Sequence, residues 1–182
     1  MSLPPDALSA QPLTDRPNAP KSVSPARLSP DSVSHFLTDF FSDHLPITDY
    51  LKMRVDQYDG DSFSLAIDLQ PSINDKLTAF GGSLYCLCVM NCWGMAYLQA
   101  RQRGINPNMV VSYGEIDYKA PVSDEHIVAR CEARSEVDWQ SFFDRLDDRG
   151  RAKISLQSEV MCQGRQAVLF RGDYAIIGVN EN

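Results

Sequence analysis

The sequence has little that would let it bind nucleic acid, pair its cysteines or work as a serine hydrolase. Basic residues are outnumbered, 17 Lys and Arg against 24 Asp and Glu, for a net charge of -7. A broad phosphate-binding surface needs the opposite balance. There are five cysteines, an odd number, and no Cys-x-x-Cys pair. Cys88 and Cys92 lie four apart, a spacing open to a metal or redox pair, but the five read best as buried, reduced thiols. Such usage fits a reducing compartment and a cytoplasmic location. No Gly-x-Ser-x-Gly elbow occurs, and none of the three histidines is placed as partner to a nucleophilic serine. No internal repeat is present.

The amino-terminal stretch lacks the apolar segment of a secretory signal. Residues 1–28 hold six of the eleven prolines, with Pro30 just beyond. Such a stretch buries too little surface to offset its ordering entropy and is expected to be a mobile tail. The rest, 29–180, reads as one domain, and the 43% apolar content suffices for its core.

Charge is also missing from the middle of the chain: Leu77 to Ala100 contains none. Length alone would allow a membrane span, but Gly81, Gly82, Ser83, Asn91, Gly94 and Gln99 dilute the hydrophobicity and no basic cluster flanks one side. The segment is expected to be the buried central helix of a soluble domain, from about Gly82 to Arg103, with Gly104 as its carboxy-terminal cap.

Around it lie shorter elements. Ser29-Pro30-Asp31 predicts a helix start, and Val33, Phe36, Leu37, Phe40, Phe41 and Leu45 follow at helical spacing up to Pro46. His35 and His44 on this helix read as ordinary surface residues. Leu51, Met53 and Val55, then Phe63, Leu65, Ile67 and Leu69, alternate with polar neighbours on either side of Asp59-Gly60, the pattern of a hairpin. Four strand-like segments follow the long helix, starting near Met109, His126, Arg151 and Gln166, too closely spaced for crossover helices. Trp139, Phe142, Phe143 and Leu146 predict a short amphipathic helical turn between two of them. The expected class is α+β: an antiparallel six-stranded sheet wrapped around one long helix, with an extra N-terminal helix.

That order, with "INDKLTAFGGSL" (Ile73 to Leu84), "CWGMAYL" (Cys92 to Leu98) and "EIDYKAPV" (Glu115 to Val122), resembles the hotdog fold. It is most similar to the thioesterase-like domain family found as the carboxy-terminal half of some bacterial acetyltransferase fusions, over roughly Ser32 to Val179. The upstream residues, few and proline-rich, are not expected to form an acetyltransferase half. The resemblance implies hydrolysis of an acyl thioester of coenzyme A or of a carrier-bound pantetheine. It also implies a homo-oligomer, dimer or tetramer, with sites at subunit interfaces. Neither a cofactor beyond the coenzyme A of the substrate nor a metal is expected.

A thioester hydrolase must hold the carbonyl oxygen, activate water and house an acyl chain. The free N–H groups of a helix N-terminus suit the first task. Gly82 is the candidate oxyanion donor, with Gly81 letting substrate approach and both glycines free to adopt unusual dihedrals; tight helix-to-sheet packing is their other reading. Related phenylacetate-type thioesterases carry a similar Asn ahead of a His-Gly-Gly, with an acid one helical stretch later. Here Asn74 is kept, Phe80 replaces the His, and Val89 stands where the acid would be. Asp75 and Glu115 are the candidate bases. Glu115 shares odd positions with Val111 and Tyr113, an apolar-leaning face on which desolvation would raise its pKa; exposure or a salt bridge is the alternative for both acids. Ser83, Thr78 and Phe80 are expected to line the substrate. Asn91 either orients water or bonds a buried backbone group. Lys76, Lys119, Arg101 and Arg103 are available to coenzyme A phosphates or are solubilising. Two other functions share the fold: a non-catalytic acyl-binding or dimerisation module, and an acyl-CoA dehydratase or hydratase, for which His126 is the histidine in the sheet region.

Overall fold

The structure, a computed structural model, describes residues 30–133 and 137–180. The proline-rich segment 1–28 and the Ser29 cap lie outside the described residues. Among the described residues, four α-helices and six strands follow one another as α1 (Pro30–His44), α2 (Pro46–Tyr50), β1 (Arg54–Tyr58), β2 (Ser62–Asp68), α3 (Gly81–Gln102), β3 (Pro107–Tyr118), β4 (His126–Glu132), α4 (Trp139–Arg149), β5 (Ala152–Cys162) and β6 (Arg165–Val179), with a 3-10 turn at Gln70–Ser72. The strands form one sheet in the order β1-β2-β4-β5-β6-β3, and every neighbouring pair is antiparallel.

Most of the charge-free segment, Gly81 to Ala100, lies in the 22-residue α3, and five strands of the sheet, β2 to β6, pack on this helix. Leu87, Cys88, Asn91, Cys92, Met95, Ala96 and Ala100 are fully buried. A charge at these positions would face no water and no partner, which costs several kcal/mol or forces neutralisation (~2–7 kcal/mol even for uncharged polar groups). Close approach of helix to sheet is built in at Gly94, where a Cβ would stand 2.3 Å from the Phe63 ring of β2. Gly104 ends the helix in a left-handed conformation, φ 75°, as the sequence predicts. Among the described residues, no helix is long and apolar enough to cross a membrane.

Helix α1 buries Val33, Leu37 and Phe41 and stacks Phe40 on Trp93 of α3, 5.6 Å between ring centroids. His35 and His44 are exposed; His44 Nδ1 meets the Phe40 carbonyl at 2.9 Å. Pro46 does more than stop α1. It opens α2 at a position where its missing N–H costs nothing, and it fixes φ for the new turn. As a result the first strand begins at Arg54, not at Leu51. Leu51 caps α2, and Lys52 takes a left-handed φ of 52° while Met53 N–H returns to the Thr48 carbonyl at 2.8 Å. The hairpin turn at 59–61 is held by Asp59, whose Oδ1 accepts from the N–H groups of Asp61 (3.0 Å) and Ser62 (2.7 Å). The amphipathic turn after β4 is the full helix α4, capped by Asp138 at one end and by left-handed Gly150 at the other, with Phe142, Phe143 and Leu146 buried.

Strand β3 is an edge. It pairs with β6 along its length and, among the described residues, has no strand on its other side. Val110, Val111, Tyr113 and Tyr118 are all at least 40% exposed along it.

Candidate active site at the start of the central helix

The loop before α3 is organised by Asn74. Its Oδ1 accepts from the N–H groups of Lys76 (2.8 Å) and Thr78 (3.2 Å), and its Nδ2 donates to Thr78 Oγ1 at 3.1 Å. This Asx turn tolerates a left-handed Leu77 (φ 59°) and closes with an Ile73–Ala79 bridge. Phe80 N–H then bonds the Ser72 carbonyl at 2.6 Å, which sets the direction in which α3 starts. Asn74 and Thr78 are therefore occupied with each other and shape the loop.

Helix α3 has no side-chain cap at its first turn. The Phe80 carbonyl takes the N–H groups of Ser83 (3.0 Å) and Leu84 (3.2 Å). Those of Gly81 and Gly82 have no acceptor among the described residues. On the carbonyl side, Tyr118 of β3 donates its hydroxyl to the Gly81 oxygen at 2.7 Å. Burial raises the Tyr118 pKa, which keeps the donor protonated.

Two recesses flank this start. One, of about 400 Å³, is bounded by Ile47 and Tyr50 of α2, Ile73 of the loop, and Phe80, Gly82 and Ser83. The other, of about 380 Å³, is bounded by Thr78, Gly81, Leu84, Tyr118 and Lys119. Neither glycine has the positive φ that would demand its conformational freedom, so the unusual dihedrals expected for them are absent. Their contribution is space. A Cβ on Gly82 would lie 2.4 Å from the Phe80 ring, and one on Gly81 would lie 3.3 Å from Tyr118.

The other expected site residues lie elsewhere. Asp75 is 82% exposed and paired with Lys76 at 3.0 Å. Glu115 is also exposed, accepting from Tyr113 Oη at 2.8 Å, with Arg171 at 4.0 Å. The desolvated face expected for Glu115 is absent from the described residues, where β3 is an open edge with a register shift between Val111 and Tyr113. No Asp or Glu lines either recess. Asn91 is fully buried and its amide is spoken for: Nδ2 donates to the Phe63 carbonyl (2.9 Å) and Oδ1 accepts from Ser158 Oγ (2.7 Å). It ties the helix to the sheet and lines neither recess. Arg101 and Arg103 sit at the far end of α3, where Arg103 lies 3.9 Å over the Phe143 ring. Lys119 does border the second recess, bonded to Gln166.

Thiol chemistry is disfavoured. Burial pushes Cys88 up to about 12 and holds Cys92 well above its ordinary value, so neither supplies a thiolate. Cys86 borders the first recess, and burial raises it as well. His126 does meet an acid, Asp68 Oδ1 at 3.2 Å, but both face solvent beside Arg54, outside either recess. Among the described residues, no cluster of His, Cys, Asp and Glu is arranged to hold a metal.

The sequence matches the family described as "Putative thioesterase (yiiD_Cterm)" over residues 34–178. The chain belongs to this family. A protein of unknown function from Chlorobaculum tepidum TLS is 42% identical, with a TM-score of 0.78 over 86% of this chain and 99% of that one. The structure described as "the putative thioesterase from Shewanella oneidensis" is 22% identical, TM-score 0.74, over 81% of this chain and 99% of that one. The PaaI protein of the phenylacetic acid degradation operon of Escherichia coli is 17% identical, TM-score 0.57, over 84% and 99%. The architecture is the hotdog fold, as the resemblance implies. Within this thioesterase family fold, the sequence motif "AFGGSL" is the junction where loop becomes helix and both recesses meet. Sequence reasoning missed the contribution of α2. Pro46 followed by Asp49 in the first turn carried the signal of a new helix start.

Proposed function

We propose that the protein hydrolyses acyl thioesters of coenzyme A or of a carrier-bound pantetheine. One observation carries the reading: the N–H of Gly82, without an acceptor, borders an apolar cavity of about 400 Å³ at the positive end of a 22-residue helix. The acyl chain takes the recess walled by Ile47, Tyr50 and Ile73. The pantetheine arm takes the recess beside Tyr118 and Lys119. The thioester carbonyl then lies against Gly82 N–H, with Phe80, Gly81 and Ser83 around it.

Water attacks the carbonyl carbon and gives its proton to a carboxylate. The oxyanion is stabilised at the helix start, where one such donor is worth ~3 kcal/mol in the transition state. The C–S bond breaks, the acid is released, and the thiolate leaves as thiol by taking up a proton. Asp75 and Glu115 are the proposed bases. Both are exposed and neither lines a recess, so we place the base at a subunit interface that brings one of them to the thioester. The open edge of β3, with Val110, Val111 and Tyr113 uncovered, supports a homodimer joined there.

The absence of a carboxylate from both recess walls favours a second reading, a non-catalytic acyl-binding module. Purified protein offered a panel of acyl-CoAs, with released thiol followed by a chromogenic reagent, separates the two. Turnover that is lost in Asp75→Ala or Glu115→Ala supports hydrolysis and assigns the base. Saturable binding without thiol release supports the module.

A further inference from the structure

A third recess, of about 370 Å³, lies at the opposite end of the molecule and is lined by four cations: Arg145 and Arg149 of α4, Arg151 just past it, and Lys153 of β5. In a chain of net charge -7, this concentration has a local cause. Arg145 and Arg149 are one helical turn apart and share a face of α4. The left-handed Gly150 then turns the chain so that Arg151 and Lys153 return along the same wall. The three guanidinium groups form no ion pair among the described residues. Only Lys153 is neutralised, by Asp173 at 2.8 Å. Asp144, Asp147 and Asp148 of α4 contribute nothing to the lining, and Asp138, whose charge interacts with Arg145, is held by its bond from Ser141 N–H. The floor is apolar, made by Ala152, Ala175, Ile176 and Ile177.

We propose that this recess binds a small ligand through a phosphate or diphosphate group. Guanidinium forks match phosphate oxygens two at a time, and three of them around one concavity suit a multiply charged anion better than a single carboxylate. The apolar floor leaves room for an attached organic moiety. The site is separate from the thioester site. Arg103 at the end of α3 touches Phe143 of α4, and Ala152 pairs with Ile176 beside the start of β3, so the recess belongs to the carboxy-terminal end of a helix about 33 Å long.

Isothermal titration of the full chain with inorganic pyrophosphate, at low and at physiological ionic strength, tests this. Expected is saturable binding of one pyrophosphate per protomer, weakened by salt and at least tenfold weaker in Arg145→Gln/Arg149→Gln. Arg165→Gln, which removes a charge outside the recess, should bind like the parent, as should Gly82→Ala. If the double variant fails to fold, Arg151→Gln alone, beyond the helix end, should weaken binding severalfold. A parallel titration with ADP separates sources: tighter binding than pyrophosphate assigns a nucleotide, equal or weaker binding a non-nucleotide phosphate. No saturable binding, or equal loss in Arg165→Gln, overturns the proposal.

Discussion

Ser158 of β5 donates its hydroxyl to Asn91 Oδ1 at 2.7 Å, and Asn91 passes the bond on to the Phe63 carbonyl of β2 at 2.9 Å. All of it is buried, so the Asn91 carboxamide is a strut between helix and two strands. Asn91→Leu should therefore strand Ser158 and the Phe63 carbonyl and cost about 2–4 kcal/mol, read as a lower urea midpoint. The variant's remaining folded fraction should keep the parental kcat/KM. A tenfold fall in kcat/KM with unchanged stability would instead put Asn91 at the reacting water.

The two close-contact glycines of α3 should respond in opposite ways. Gly94→Ala drives a methyl into the Phe63 ring and should destabilise by about 1–3 kcal/mol without a specific effect on turnover. Gly82→Ala meets only the Phe80 ring, which is 58% exposed and free to swing aside. Its stability should change by less than about 1 kcal/mol, because Ala favours the helix. Its kcat should fall about tenfold or more, because the methyl and the displaced ring occupy the place of the carbonyl. Equilibrium unfolding and thiol-release kinetics on both variants decide this.

Cysteine labelling offers a probe of the first recess. Cys88, Cys92 and Cys131 are fully buried, while Cys86 is partly exposed and borders the cavity. A thiol reagent on the native protein should modify Cys86 slowly and leave Cys88, Cys92 and Cys131 untouched until unfolding. An acyl-CoA analogue should slow the Cys86 reaction. Labelling that the analogue does not alter would place the acyl chain elsewhere.

Acid stability depends in part on Asp59. Hydrogen bonds from the Ser62 N–H lead the causes that hold its pKa below the ordinary value of 3.8, against a smaller opposing effect of burial. A carboxylate depressed on folding stabilises above its unfolded pKa, and that contribution disappears as pH falls through the lower folded value. Melting temperature should thus drop more steeply below pH 4 in the parent than in Asp59→Asn, and the two should differ most near neutrality. Parallel melting curves would show that Asp59 contributes nothing to acid stability.

The sequence reveals the fold more fully than the site, and particular residues show why. The uncharged run and Gly104 mark α3 to within a residue at each end, because a buried helix leaves both a compositional and a capping signature. The Asp59-Gly60 hairpin is equally plain. Helix α2 is hidden, since five residues are too few to show a period, yet Ile47 and Tyr50 wall the cavity. Glu115 looks half-buried by alternation with Val111 and Tyr113, but a register shift lies within that stretch and β3 has no outer neighbour. Alternation reports which side chains share a face, and only tertiary structure decides whether that face is covered. Asn91 illustrates the same limit: its need for partners is legible, whereas their identity, Ser158 and Phe63, is set by packing across 67 and 28 residues of chain.

Thioester binding at Gly82 is tested most directly by a crystal structure with a 2-oxoalkyl-CoA, a ketone analogue in which one methylene separates the sulfur from the carbonyl, so that it cannot be hydrolysed. The carbonyl oxygen should lie about 3 Å from Gly82 N, with the alkyl chain between Ile47, Tyr50 and Ile73. An analogue seated away from the first turn of α3, with the Gly82 N–H still facing solvent, would contradict it.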